Sequence, residues 1–301
     1  MRMTMAAFSI LTLAACGGGG GGSATTGNTG GGPSGPTNPG AALDQIQTLT
    51  GAAAPAETLA AQSARAPGIL ARTDSLIASS MYGNTASSDL PTFVAPASCP
   101  ATTCAWTEPT TGDSLQVDLS DFDATVSGEL VGSKHGITLT REIDADSRSL
   151  GAWMDHGAFG VITFRDVYSG VQVNARYGTA GGDLSGSRPL GSATWQGLMV
   201  GTPATGAGRG DLLQGDATLT YSLDTRMLGA AFTNIQNIDR LRAHSVSTVR
   251  FTGVPVDILG EFEAGSAGNK IQGGFYGSDH AEALGVFEQL NIVGAFGAKR
   301  Q

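Results

Sequence analysis

Basic residues are scarce in this 301-residue sequence: Lys and Arg number 17 against 26 Asp and Glu, and the formal net charge is −9. Charged residues of both signs make up only 14% of the chain. Proteins that bind nucleic acid concentrate Lys and Arg against the phosphates. Because no stretch of this sequence has a basic run of that density, nucleic acid is excluded as an expected partner.

Motifs for catalysis are also missing. The sequence has no Gly-x-Ser-x-Gly, His-Glu-x-x-His, Walker or Rossmann element in a suitable context. We therefore expect no enzyme, no catalytic residue, no metal site and no cofactor. The four histidines are scattered along the chain, and each is expected to be a surface or loop residue rather than a ligand. They are His135, His156, His244 and His280.

Apolar runs are short. The stretch from Ala6 to Ala15 is too short to span a bilayer and fits the apolar region of a signal peptide over residues 1–15. It ends in Leu-Ala-Ala-Cys, which resembles a bacterial lipobox, in which the cysteine carries the lipid (palmitate among its acyl chains) and becomes the mature N-terminus. An ordinary secretory signal with a chance cysteine is the alternative. We predict lipidation at Cys16.

Cysteines are few, with three in the whole chain. Once Cys16 is used for lipid, Cys99 and Cys104 remain as an even pair, five positions apart in SCPATTCAW. In an oxidising compartment such a pair favours a small disulfide-closed loop. A metal site would need further Cys or His close by, so a structural disulfide is predicted.

Glycine is abundant, with 45 residues, and it dominates the segment 16–41. This composition cannot bury enough apolar surface to offset its ordering entropy, so we predict a disordered, flexible tether. Residues 42–89 are rich in Ala, Leu and Gln and predict a helical or irregular lead-in, interrupted at Pro55 and at Pro67.

Over residues 90–190 the pattern changes to short runs in which apolar and polar residues alternate with period two, which predicts a small β domain. One stretch inside it, WMDHGAFG, combines aromatic, thioether and imidazole groups and is a candidate ligand patch. Its members are Trp153, Met154, His156 and Phe159. The alternative, which we favour, is a strand with a core tryptophan and a turn at residues 155–157.

Residues 191–301 show the most regular pattern. Eight candidate strands follow one another with short connections, which indicates an antiparallel meander. They are 193–201, 214–223, 227–234, 246–254, 258–264, 269–277, 283–289 and 291–299. Eight such strands predict an up-and-down β-barrel whose interior is filled by side chains, with the eighth strand pairing with the first. An open sandwich is the alternative.

The end of this segment carries a family signature. IQGGFYGSDHAEALGVFE, followed by GAFGAKRQ, resembles the C-terminal barrel of the transferrin-binding protein B superfamily. The family often has proline after the Gly-x-Phe-Tyr-Gly element, where this chain has Ser278. The matching residues are Gly274, Phe275, Tyr276, Gly277, Glu282, Gly285, Phe287, Phe296, Gly297, Ala298 and Lys299.

The resemblance implies an all-β protein with a handle domain at 90–190, a barrel at 191–301 and a single lobe. It also implies a lipid anchor in the outer membrane, exposure at the cell surface, and a macromolecular ligand such as an iron or haem carrier protein. An outer-membrane transporter is a further implied partner. A structural or adhesion lipoprotein of the envelope is the alternative, and no ligand-contact motif distinguishes the two.

Overall fold

The computed structural model of the chain describes residues 39–80, 82–85, 99, 102–107, 114–119, 128–144, 146–168 and 171–301. The predicted signal peptide and Cys16 lie outside the described residues, as does nearly all of the predicted tether. No helix in the described ranges is both long enough and apolar enough to cross a membrane.

Two helices precede the sheets, α1 (Pro39–Thr50) and α2 (Leu59–Leu70). The break predicted at Pro55 falls between them. The break predicted at Pro67 is wrong, because α2 runs through this residue. The hydrogen-bond pattern continues beyond the proline, since the carbonyl of Pro67 accepts a hydrogen bond from the N–H of Ala71 at 3.0 Å.

The first sheet has seven antiparallel strands. Six of them follow the order β1-β9-β8-β7-β6-β5, and the seventh, β2, pairs with β9 next to β1. We call it the handle sheet. Its strands are β1 (Ser75–Ala78), β2 (Tyr82–Thr85), β5 (Glu129–Lys134), β6 (Ile137–Ile143), β7 (Ser147–Trp153), β8 (Gly157–Tyr168) and β9 (Val171–Gly182).

Strands β1 and β2 fall inside residues 42–89, so the lead-in is not wholly helical or irregular as predicted. In β1, Leu76 and Ile77 are 2% and 6% exposed and belong to hydrophobic clusters on opposite faces of the sheet. A strand buried on both faces has no polar alternation. Its sequence therefore lacks the pattern by which strands are recognised.

A two-stranded hairpin of β3 (Thr103–Thr107) and β4 (Ser114–Asp118) forms a separate small sheet. Together with α2 it covers the outer face of the handle sheet, since Cys104, Leu119 and Ile69 share one cluster with Trp153 and Tyr177. The predicted disulfide between Cys99 and Cys104 is present at the start of this hairpin, with an S–S distance of 1.99 Å.

Reducing this disulfide is expected to lower the free energy of unfolding by roughly 2 kcal/mol, because the bond closes only a short loop. The measurement is thermal unfolding of the wild type with and without reductant. The Cys99→Ala/Cys104→Ala variant is the control and should not respond to reductant. A wild-type midpoint that reductant leaves unchanged would contradict the prediction.

The second sheet closes into the predicted eight-stranded antiparallel up-and-down barrel, in the strand order β10-β11-β12-β14-β15-β16-β17-β18. The last strand pairs with the first from Trp195↔Arg300 to Pro203↔Ile292, which excludes the open sandwich. A single bridge, Val256↔Phe262, joins β14 to β15. The strands are β10 (Ala193–Pro203), β11 (Leu213–Ser222), β12 (Met227–Asn237), β14 (Thr248–Pro255), β15 (Glu261–Ser266), β16 (Asn269–Tyr276), β17 (Glu282–Gln289) and β18 (Ile292–Arg300), with a two-residue β13 (Arg242–Ala243) on β12.

Aromatic side chains fill the barrel interior. Phe232 is fully buried and lies 4.5 Å from Phe287 and 5.1 Å from Phe296, measured between ring centroids. Phe275 stacks on Trp195 at 4.6 Å. The interior is thus a packed core, as expected for a barrel of this size.

The inner face of the handle sheet packs on the outside of the barrel. One hydrophobic cluster combines Leu139 and Phe159 of the handle sheet with Leu284 and Val286 of β17. The two surfaces touch at glycines: a Cβ atom at Gly178 would overlap the backbone of Gly294, and a Cβ at Gly297 would overlap the Phe159 ring.

Candidate functional site

The candidate ligand patch is not a surface. Trp153, Met154 and Phe159 are 1%, 2% and 0% exposed. Trp153 packs toward the outer face of the handle sheet, whereas Met154 and Phe159 face the barrel. Only His156, in the turn between β7 and β8, is partly exposed. Both faces of these strands are covered, so the aromatic groups form core, and the alternative of a core tryptophan followed by a turn is correct.

The family motif builds the barrel and its contact with the handle sheet. Phe275, Phe287 and Phe296 point into the barrel core. Tyr276 is fully buried in the cluster between barrel and handle. Added Cβ atoms would meet close neighbours at the four motif glycines, which are Gly274, Gly277, Gly285 and Gly297. Ala298 is fully buried in the barrel core. These motif residues therefore form the barrel core and the contact between the barrel and the handle sheet.

Glu282 and Lys299 of the motif meet the turn between β7 and β8. Glu282 is 1% exposed and accepts hydrogen bonds from the backbone N–H groups of Asp155 at 2.9 Å and His156 at 3.1 Å. Lys299 Nζ lies 2.9 Å from Asp155 Oδ2. Burial opposes the charge on Asp155, but the hydrogen bond and the charge of Lys299 hold its pKa below the ordinary value.

Glu288, at the other end of β17, makes a second contact of this kind. It is 2% exposed and accepts from the backbone N–H groups of Ser80 at 2.5 Å and Gly268 at 2.7 Å. Tyr82 Oη lies 3.4 Å from it. Burial, and then the charge of Glu288, raise the pKa of Tyr82 to about 12. The handle sheet is thus bound to the barrel near both ends of one strand.

Two clefts lie where β10 and β12 end, on either side of the loop 204–211. We call this region the loop end. The first cleft, of about 320 Å³, lies between the handle sheet and the loop and includes Asp144, Arg148, Arg176 and Arg209. Arg148 extends from the handle sheet to the barrel, where its Nη2 atom lies 2.6 Å from Asp239 Oδ1.

The second cleft, of about 300 Å³, lies on the other side of the loop and includes Arg240, Arg242 and His244. Asp211 lines both clefts. It accepts from Asn237 Nδ2 at 2.8 Å and from Arg240 Nε at 2.5 Å, which ties the loop to the segment that follows β12.

Arginines are concentrated at the loop end of an otherwise acidic protein. Five arginines and three aspartates line the two clefts, whereas the chain as a whole carries a net charge of −9. Burial lowers the pKa of His244, and Arg242 lowers it further against the opposing effect of Asp211. His244 is therefore mainly neutral at pH 7, so the arginines supply the positive charge.

Sequence reasoning does not identify the loop end. Its residues come from the handle sheet, from the loop 204–211 and from the segment 238–245, which are distant in the sequence. A glycine-rich loop ending in Gly-Arg-Gly-Asp, residues 208–211, is the one local signal. Within the described ranges, no group of three or more His, Cys, Asp or Glu is placed to hold a metal ion.

No protein-family model and no curated protein matches this chain. Among solved structures it is similar to an isotype 1 transferrin binding protein B from serogroup B Neisseria meningitidis (16% identity, 75% of this chain and 43% of that one, TM-score 0.37). It is also similar to the N-lobe domain of lactoferrin binding protein B of Moraxella bovis (12% identity, 75% of this chain and 99% of that one, TM-score 0.35). The chain therefore spans less than half of the Neisseria protein. The first of these structures is a transferrin binding protein B, the family that the sequence motif resembles.

Proposed function

We propose that this chain is a lipid-anchored surface protein of the outer membrane that binds a macromolecular ligand through the loop end. The observation that carries the proposal is the cluster of arginines in the two clefts, of which the handle sheet and the barrel build the first together and the barrel segments alone build the second. Arginine is enriched at protein–protein interfaces, which favours a protein as the ligand. The barrel interior is filled by its own side chains and offers no comparable space to a small ligand.

The ligand class follows from charge and from the motif resemblance. Arginine is a frequent anchor in protein interfaces and pairs well with carboxylates. An iron or haem carrier protein that presents an acidic surface is therefore the first ligand to test, and an outer-membrane transporter is a further proposed partner. The lipobox at Cys16 and the tether over 16–41 would hold the folded part away from the membrane.

Charge reversal at the loop end is expected to weaken binding of iron-loaded transferrin or haemoglobin about tenfold, or ~1.4 kcal/mol. Arg209→Glu and Arg242→Glu are suitable variants, because both residues are exposed in the clefts. Arg226→Glu is the matched control, since Arg226 is exposed in the turn between β11 and β12 at the other end of the barrel. Binding is measured by biolayer interferometry at two salt concentrations.

Equal losses in all three variants, or no binding of either carrier protein, would contradict this ligand class. The anchor is tested separately by protease treatment of intact cells, with lysed cells and the Cys16→Ser variant as controls. Digestion in intact cells would support exposure at the surface. Protection until lysis would remove the receptor proposal.

A structural or adhesion role is the second candidate. One observation favours it: five of the seven exposed large hydrophobic side chains in the described part of the chain lie at the barrel end opposite the loop end. They are Leu190, Leu223, Met227, Ile258 and Leu259. Exposed apolar groups in one region suit contact with another envelope component. Expression that does not respond to iron starvation, together with no carrier binding, would favour this role.

A further inference from the structure

The outward face of β17 has a carboxylate at each end and apolar residues between them. Glu282 and Glu288 flank Leu284 and Val286, and the two apolar side chains belong to the cluster between barrel and handle sheet. In the described ranges these two glutamates are the acidic residues that are buried. Such groups are rare in protein interiors, because burial penalises the charged form.

Glu282 has few partners for a buried carboxylate. An ionised carboxylate can accept about four hydrogen bonds, and Glu282 receives two, both from neutral backbone N–H groups of the turn at Asp155 and His156. These donors are on the handle side, while Glu282 is on the barrel. Any separation of the turn from the barrel therefore breaks both bonds and admits water to the carboxylate.

Nearby charges do not neutralise Glu282 directly. Lys299 is its cross-strand neighbour on β18 but binds Asp155. Arg65, on α2, donates to Glu57 at 2.6 Å and to the carbonyl of Trp153 at 2.6 Å. The other groups that face this point are Asp155 and His156 on the turn and Tyr276, the cross-strand neighbour on β16. In the described part of the chain, no cation donates a hydrogen bond to Glu282.

We propose that Glu282 couples proton uptake to the docking of the 154–157 turn on the barrel. With the turn docked, the carboxyl is buried and binds a proton more tightly than a carboxyl in water does. When the turn opens, water reaches the carboxyl and it ionises. The contact between handle sheet and barrel at this point is therefore tighter in acid and looser at neutral pH and above.

The direction follows from proton linkage. Burial raises the pKa of Glu282 from 4.5 to about 7, the two backbone hydrogen bonds oppose this, and the charge of Asp155 raises it further against Lys299. Protons therefore bind more tightly to the docked form than to the open form, in which the ordinary pKa applies. The stabilisation of the docked form is complete below about pH 4.5 and is lost as the pH rises to about 7. Across this window the opening equilibrium should rise on the order of 100-fold.

The test is hydrogen exchange at the amides of Asp155 and His156 in the full chain, at about pH 5 and about pH 8, expressed as protection factors so that the intrinsic pH dependence cancels. The wild type should lose protection on the order of 100-fold at the higher pH. In Glu282→Gln, which cannot ionise, the protection factors should be the same at both values. Unchanged wild-type protection would overturn the proposal.

Glu288→Gln is the matched control, because Glu288 is as buried on the same strand and also accepts backbone N–H groups. It should keep the wild-type pH response at Asp155 and His156, and loss of the response in this variant would overturn the assignment to Glu282. If Glu282→Gln does not fold, the carboxyl ¹³C signal of Glu282 is titrated in the wild type. A midpoint near 7 is expected, and a midpoint at the ordinary value for glutamate would overturn the proposal.

Discussion

Replacing Phe275 by alanine is expected to lower the free energy of unfolding by about 3–5 kcal/mol. The side chain is fully buried in the barrel interior. Its ring lies 4.6 Å from that of Trp195, 5.7 Å from that of Phe262 and 6.3 Å from that of Tyr221. A closed ring of paired strands cannot collapse easily around the space left by a missing ring, so the cavity contributes to the loss.

The measurement is chemical denaturation followed by tryptophan fluorescence, to which Trp195 contributes from its stacking contact with Phe275. Phe275→Leu retains most of the apolar volume and should lose distinctly less stability. The same loss in both variants would mean that the ring contacts, rather than the cavity, determine the effect. A stable Phe275→Ala variant would contradict the packed interior.

Replacing Gly297 by alanine is expected to lower the free energy of unfolding by about 3 kcal/mol, at the upper end for overpacking. A Cβ atom there would overlap ring carbons of Phe159 and approach Met154 Sδ to 2.7 Å. Both neighbours are buried in the cluster between handle sheet and barrel. The sheet and the barrel must therefore separate locally, although each is unchanged in itself.

Gly191→Ala is the control, because a Cβ at Gly191 would have no atom within 4 Å. A double-mutant cycle isolates the contact. In a Phe159→Ala background, Gly297→Ala should be much less destabilising than in the wild type. An equal loss in both backgrounds would show that the effect arises elsewhere in β18.

The barrel could be predicted from the sequence because each of its strands repeats one local pattern. Leu219 and Tyr221 point inward while Thr218 and Thr220 point out, and the turns are short. The order of antiparallel neighbours follows from these features alone. Strand β1 could not be predicted from the sequence, because both of its faces are buried and its residues show no polar alternation.

The candidate site could not be predicted in the same way. The loop end joins Arg148 of the handle sheet to Asp239 and to the loop 204–211, and no periodic pattern links segments so far apart. For Glu282 the motif identified the residue, but its burial depends on a turn more than a hundred positions earlier in the chain. The chemistry of both sites arises from tertiary packing, and the spacing of residues along the sequence does not reveal it.

The pairing of β10 with β18 has a consequence for the timing of folding. Trp195 pairs with Arg300, and the residues between these two strands form all the rest of the barrel. Contacts of such long sequence separation carry a large loop-closure entropy and slow the folding of β proteins. Until β18 arrives, β10 is an unpaired edge, and such edges promote aggregation. The chain should therefore be most prone to aggregation, and most dependent on chaperones, until β18 has paired with β10.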